Sequence, residues 1–386
     1  MALDLSGGSV ERLPGSQIIV WCADGEARIA GVELWRRAIY TACRAGFERL
    51  LIVTPAPAET VRRALGEDAR LQGRDWQVIS ADDRWAERIS GFGGRWVALE
   101  DRWVTDAALL RELAETRGEP AAASTDGPIA ADADMLARLA YGGWNPSRRP
   151  EPAPRCVVAR PDVYLRVESN ADLPRAEDAL FQSLARNTTN FFARWIDRPM
   201  SRAISRRLAP YPITPNQITI FSTGLGIVGA LCMLHPSYTF GVLGAFLFLA
   251  STVIDGCDGE IARLKFQESA AGAKLDVICD NVVHAFLFPC VALRAYFIDP
   301  SGPYLALGAF AFGGVVATWI AIYFLIVRGK PSRRLTALFE FFGNREFAYL
   351  FFALAVAGML DWFVWAAAFG LWAFPLGLFA IWLLGL

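Results

Sequence analysis

Histidine is scarce, cysteine is scattered and charge is balanced, and each shortage removes a class of function. The histidines are His235 and His284; the seven cysteines (Cys22, Cys43, Cys156, Cys232, Cys257, Cys279 and Cys290) are odd in number and include no CxxC pair. The chain is therefore not written as a disulfide scaffold, and its thiols read as buried packing in a reducing compartment. A formal net charge of −1 over 386 residues gives no global attraction to nucleic acid. The opening MALDLSGGSVERLPG has neither the basic start nor the apolar core of a secretory signal peptide.

What is present is unevenly spread. Most of the charge lies before about Leu208, and the remainder consists of apolar runs broken by short polar loops, the composition of a soluble domain followed by a membrane domain. From Gln17 to about Asp172, QIIVWC, ERLLIVT, WQVIS and RWVALE read as strands, and GVELWRRAIYTACRAGF, AETVRRALGED and TDAALLRELAETR as helices. That βαβ alternation predicts a parallel, doubly wound, Rossmann-like sheet, with CVVAR as a last strand after the proline-rich NPSRRPEPAPR. Next, Arg194, Arg198, Arg202 and Arg206 recur every four residues with Phe192, Trp195, Ile196, Ile204 and Leu208 between them, as in a helix lying in the headgroup interface.

The membrane domain opens at ITPNQIT, where Pro215 can start a helix without wasting a backbone donor. Further runs at about Thr239 to Asp255, Leu275 to Phe297, Tyr304 to Val327, Phe347 to Leu360 and Trp362 to Leu386 bring the expected spans to six. The expected domains are thus an α/β cytosolic domain at 1–175, a linker with the amphipathic interfacial helix at 176–212 and an α-helical integral membrane domain at 213–386. Arg194 to Arg207, then Arg263, Lys265 and Lys274, then Arg328, Lys330, Arg333 and Arg334 all fall on one side if the spans alternate. The positive side faces the cytoplasm, so the expected location is the inner, cytoplasmic membrane with the N-terminal domain in the cytosol.

Four aspartates on that side organise the chain. Asp255 and Asp258 are three apart, and Asp276 and Asp280 four apart, so on helices each pair projects from one face. Carboxylates at the edge of a membrane span are costly and mark a site. Their mutual repulsion calls for a cation, and oxygen-only ligands favour Mg²⁺ or Mn²⁺. Gly259, Ala262 and Gly272 leave room between the pairs, and the Arg263 guanidinium offers a planar fork for phosphate. His284, one turn beyond Asp280, reads as a polar residue at the site or a bundle interface rather than a ligand.

Asp255-x2-Asp258-Gly259-x2-Ala262-Arg263-x8-Gly272-x3-Asp276-x3-Asp280 resembles the complete eight-position signature of the CDP-alcohol phosphotransferases. The resemblance implies that Asp255, Asp258 and Asp276 ligate two divalent ions, and that Asp280 is the base, with a possible metal contact of its own. Gly259, Ala262, Arg263 and Gly272 would hold the CDP moiety. An acceptor hydroxyl, on a lipid or a polyol phosphate, would then attack the phosphorus bearing the alcohol of a CDP-alcohol and release CMP. Arg198, Arg328 and Arg333 are candidates for an acceptor phosphate, and a homodimer is implied by the resemblance alone.

The N-terminal element order resembles a sugar-phosphate nucleotidyltransferase domain, and the whole layout resembles bifunctional inositol-phosphate cytidylyltransferase and CDP-inositol phosphotransferase proteins. The loop ADGEARIAG is too short for that family's glycine-rich phosphate loop, while Asp101 stands about where its first metal carboxylate would be. The domain is expected to be degenerate and non-catalytic, with a structural or regulatory role. NTTNFF at Asn187 to Phe192 replaces the Lys-Asp-Gly stretch of the relatives, which leaves the alcohol open and admits a CDP-diacylglycerol donor. Competing classes are a membrane prenyltransferase, identified by pyrophosphate release, a transporter with acids nearer mid-membrane, and a catalytically silent scaffold.

Overall fold

Strand β1 (Leu13–Trp21) carries Ile18, Ile19 and Val20 in succession, all buried, which requires cover on both faces of its sheet. The computed structural model describes residues 13–22, 27–66, 68–81, 87, 89, 93–116, 120–123, 127–140, 155–156, 163–184, 193–324 and 347–383. Two units divide the chain between Leu184 and Ala185.

In the N-terminal unit, β1 shares one sheet with β2 (Phe47–Thr54), β3 (Asp75–Ser80), β4 (Arg95–Glu100), β5 (Ala121–Ala122), β6 (Ile129–Asp132) and β7 (Arg155–Cys156). Their order is β7-β5-β6-β4-β1-β2-β3. β4, β1, β2 and β3 are parallel, with Val20 opposite Ile52 and Leu99. Helix α1 (Leu34–Ala45) supplies the crossover from β1 to β2 and ends at Gly46, whose φ of 95° only glycine adopts cheaply. Helices α2 (Ala58–Gly66), α3 (Ala107–Glu115), α4 (Ala133–Ala140) and α5 (Leu173–Ser183) belong to the same unit, as do two short antiparallel strand pairs, Arg28–Ile29 with Val32–Glu33 and Trp103–Thr105 with Tyr164–Arg166.

The sheet is mixed rather than all parallel. β6 runs antiparallel to both β4 and β5. Only six residues separate β5 from β6, too few for a parallel crossover and enough for a reversal. Of CVVAR, Cys156 is in a strand and the remainder lies outside the described residues.

In the second unit a π-helical turn, Ala193–Asp197, leads into α6 (Arg198–Leu208), followed by α7 (Pro215–Cys232), α8 (Tyr238–Lys265), α9 (Ala270–Ile298), α10 (Tyr304–Ile322), α11 (Phe347–Ala357) and α12 (Leu360–Leu383). Four of these, α8, α9, α10 and α12, are long and apolar enough to cross a membrane. α7 starts from a reciprocal cap in which Thr214 and Gln217 satisfy each other's backbone N–H groups, with Pro215 in the first turn. It crosses α8 where Gly229 meets Gly244: a Cβ on Gly244 would lie 2.5 Å from the Gly229 carbonyl oxygen, so only glycine allows the approach. α8 and α9 run straight through the aspartate pairs and are joined by a four-residue turn, 266–269. Phe266 enters the left-handed region to end α8, and the Ser269 hydroxyl caps α9 by accepting from the Gly272 N–H at 3.0 Å. Phe248, Leu287, Phe288, Phe351 and Phe363 are among the large members of the helical core.

Candidate active site

Helical spacing places Asp255 and Asp258 one turn apart on α8, and α9 brings Asp276 to them. One carboxylate oxygen from each lies within 4.8 Å of the others. Asp255 and Asp276 are buried and Asp258 is half-buried. Like charges this close, all on hard oxygen donors, suit a divalent cation, and the donor set fits Mg²⁺ or Mn²⁺. Asp280 sits half-buried one turn after Asp276 and is outside that three-residue group.

The third wall is α7. Ser222 donates its hydroxyl to Asp255 Oδ1 at 3.3 Å, and Thr219 donates to Asp258, whose other oxygen accepts the Gly259 N–H. Thr219 and Ser222 are buried hydroxyls three apart on one face of α7. Sequence reasoning missed both; their signal is a hydroxyl pair at helical spacing inside an otherwise apolar span. Gly226, one turn on, brings the three helices together: its Cβ would lie 2.8 Å from Val283 Cγ1 on α9 and 3.1 Å from Ser251 Oγ on α8.

The small residues of the motif have local reasons. A Cβ on Gly259 would press the Arg263 guanidinium at 3.4 Å. One on Gly272 would meet Ser269 Oγ at 3.1 Å and Asn216 Oδ1 at 3.3 Å, so the starts of α7 and α9 face each other there. Ala262 lies half-buried one turn after Asp258. The charges of Arg198, Glu268, Glu260 and Asp258 all act on Arg263.

Arg198 reaches inward rather than to open solvent. Its Nη1 lies 3.3 Å from Oε1 of Glu260, a wholly buried residue that also accepts the Ser201 hydroxyl at 2.7 Å. Lys265, at the end of α8, donates to the Tyr211 and Ile213 carbonyls at 2.5 and 3.3 Å and so fixes the turn between α6 and α7. Arg328 and Arg333 lie outside the described residues. His284 packs its ring among Phe248, Phe288 and Phe347, at centroid distances of 6.4, 5.9 and 5.6 Å.

In the N-terminal unit, Asp101 is buried just after β4, with its N–H on the Trp21 carbonyl at 2.9 Å. Neighbouring Cys22 has its thiol pushed up by burial and then by the Asp101 charge. Arg166 Nη2 approaches Glu100 at 3.6 Å.

Residues 212–373 match the family model of the CDP-alcohol phosphatidyltransferases. Similar curated proteins include the bifunctional IPC transferase and DIPP synthase of Archaeoglobus fulgidus, 29% identical over 213 residues, or 54% of this chain and 41% of that protein. The protein of the same name from Aquifex aeolicus is 29% identical over 168 residues, 42% of this chain and 37% of its own length. The phosphatidylinositol phosphate synthase of Mycobacteroides abscessus is 33% identical over 94 residues, 24% and 40% of the respective chains. The matches to the two bifunctional proteins thus span less than half of those relatives' length.

Proposed function

From the premise that residues 212–373 are a CDP-alcohol phosphatidyltransferase domain, we propose that the protein is a metal-dependent CDP-alcohol phosphotransferase that moves a phospho-alcohol or phosphatidyl group to an acceptor hydroxyl and releases CMP. The observation that carries this reading is the convergence of Asp255, Asp258 and Asp276 within 4.8 Å beside Arg263. Asp255, Asp258 and Asp276, with Asp280 at the edge, would hold two divalent ions, which when bound neutralise the pyrophosphate and the leaving phosphate.

The chain's own residues do the rest. Gly259 and Gly272 leave backbone approaches for the CDP moiety, Ala262 keeps the same face shallow, and Arg263 offers its fork to a phosphate. Asp280 takes the proton of the acceptor hydroxyl as its oxygen attacks the phosphorus bearing the alcohol. A new P–O bond forms, the bridging P–O bond to CMP breaks, and CMP leaves with the electron pair. Thr219 and Ser222 hold Asp258 and Asp255 in the orientation this requires.

The remaining parts of the reading follow from composition. Helices α7 to α12 form a six-span bundle, α6 lies at the headgroup level, and the arginine-rich side is cytosolic, so a soluble donor meets a lipid at the membrane boundary. The acceptor is a lipid or a polyol phosphate, with inositol phosphate in the class suggested by the relatives' names. The N-terminal unit is a non-catalytic structural or regulatory domain, and the bundle pairs as a homodimer. The test is CMP release by the detergent-purified chain, with Mg²⁺, from a panel of CDP-alcohols and CDP-diacylglycerol against inositol phosphate, glycerol phosphate and lipid hydroxyl acceptors. One productive pairing, abolished by Asp280→Asn, supports the reading; pyrophosphate release, or no CMP from any pairing, contradicts it.

A further inference from the structure

We infer that Glu260 is a positioning residue for the carboxylate cluster, locking the rotation of α8 between α6 and α7. The inference rests on the reading of the cluster as a metal-dependent phosphotransfer site. Glu260 occupies one of the unspecified positions of the motif, so the signature itself gives it no role. It is nevertheless wholly buried, with Oε1 held by Arg198 and Ser201, while its buried Oε2 has no hydrogen-bond partner among the described residues. A carboxylate is kept in such a place only through its partners, and breaking a buried pair is far more damaging than an exposed one.

Geometry says what the tie does. At about 100° per residue, Glu260 projects well away from the direction of Asp255 and Asp258. Asp255 and Asp258 are held by Ser222 and Thr219 of α7, whereas Glu260 is held by Arg198 and Ser201 of α6. Cys257, one turn before Glu260, also meets α6, its thiol donating to the Ser201 carbonyl at 3.4 Å. Lys265 completes the grip by holding the turn that joins α6 to α7. α8 is thus fixed from two sides, and turning it would carry Asp255 and Asp258 away from Asp276 on α9. Placement errors of about 1 Å at such a site cost on the order of a hundredfold in rate.

Arg198 has two separable roles to choose between. A direct contact to an acceptor phosphate would show as a raised acceptor KM, while positioning through Glu260 would show as weakened metal binding and a lower kcat. The experiment titrates Mn²⁺ into the full chain in detergent by electron paramagnetic resonance, and in parallel measures CMP release against metal and acceptor. Glu260→Gln is expected to bind Mn²⁺ about tenfold more weakly, with the metal activation constant shifted alike and acceptor KM within about twofold of the wild type. Arg198→Lys, which keeps the charge, is expected to fall between wild type and Arg198→Met. Wild-type Mn²⁺ affinity in folded Glu260→Gln, or an Arg198→Met effect confined to acceptor KM, overturns the inference. If Glu260→Gln does not fold, Ser201→Ala and Arg198→Lys carry the same readouts, and unchanged Mn²⁺ affinity in both is the refuting result. A wild type that binds Mn²⁺ but releases no CMP would sink the phosphotransferase reading, while the titration still decides the role of Glu260.

Discussion

Gly226 gives the sharpest handle on how α7, α8 and α9 are held around the cluster. An alanine there would place its Cβ 2.8 Å from Val283 Cγ1, 3.1 Å from Val283 Cγ2 and 3.1 Å from Ser251 Oγ. Val283 is β-branched and stiff in a helix, so it cannot swing aside. Restoring ordinary contact requires α7 to retreat by about 0.6 Å, and overpacking of this kind costs about 1–3 kcal/mol. Gly224, two residues earlier on the same helix, is a matched control: its Cβ would meet nothing within 4 Å, so alanine there contributes only its better helix propensity, about 1 kcal/mol. The difference between Gly226→Ala and Gly224→Ala isolates the clash. Thermal unfolding in detergent is predicted to put Gly226→Ala roughly 2–12 °C below Gly224→Ala. Because α7 carries Thr219 and Ser222, CMP release should also fall about tenfold or more in Gly226→Ala and hold in Gly224→Ala. Equal melting temperatures for the two variants would refute the close junction of α7, α8 and α9 at Gly226.

Other consequences concern both units. Thr219→Val removes the hydroxyl that orients Asp258 at nearly constant volume; it should raise the Mn²⁺ concentration for half-maximal activity about tenfold, with little change in melting temperature. In the N-terminal unit, burial acts to raise the Asp68 carboxyl, but donation from Arg70 and Tyr40 outweighs it and holds it below its ordinary value of 3.8. Between the lowered folded value and 3.8 the unfolded chain binds more protons, so this stability is present above about pH 4 and lost as pH falls through the folded value. Denaturant titrations should therefore show the gap between wild type and Asp68→Asn closing below about pH 4, and a gap independent of pH would contradict the assignment. Burial pushes the Cys43 thiol to about 11, so it should resist alkylation at neutral pH until the unit unfolds. Rapid labelling of the native protein at Cys43 would be the adverse result.

The motif was legible because its chemistry and its spacing coincide: the acids fall at helical intervals, and the observed helices carry Asp255, Asp258 and Asp276 together without a break. The strands from Gln17 to Glu100 were legible as apolar runs buried on both faces. The antiparallel β6 was not, because Ile129–Asp132 is short and alanine-rich, with little of the β-branched or aromatic content that marks strands. Hydropathy also ended the span at Asp255 where the helix continues to Lys265, since the intrahelical hydrogen bonds do not stop where polarity begins. Thr219, Ser222 and Glu260 escaped notice for a different reason. Each derives its role from a partner 33 to 62 residues away on another helix, information that no local pattern contains.

In the proposed reaction the aspartate cluster would hold divalent metal for transfer from a CDP-alcohol. The most direct test is to follow nucleotide products from the productive donor and acceptor pair while metal is removed with a chelator and restored, in wild type and in Asp276→Asn. CMP should disappear with the metal, return on adding Mg²⁺ or Mn²⁺, and fail to return in Asp276→Asn. CMP formation that survives both the chelator and the substitution would contradict that role of the cluster.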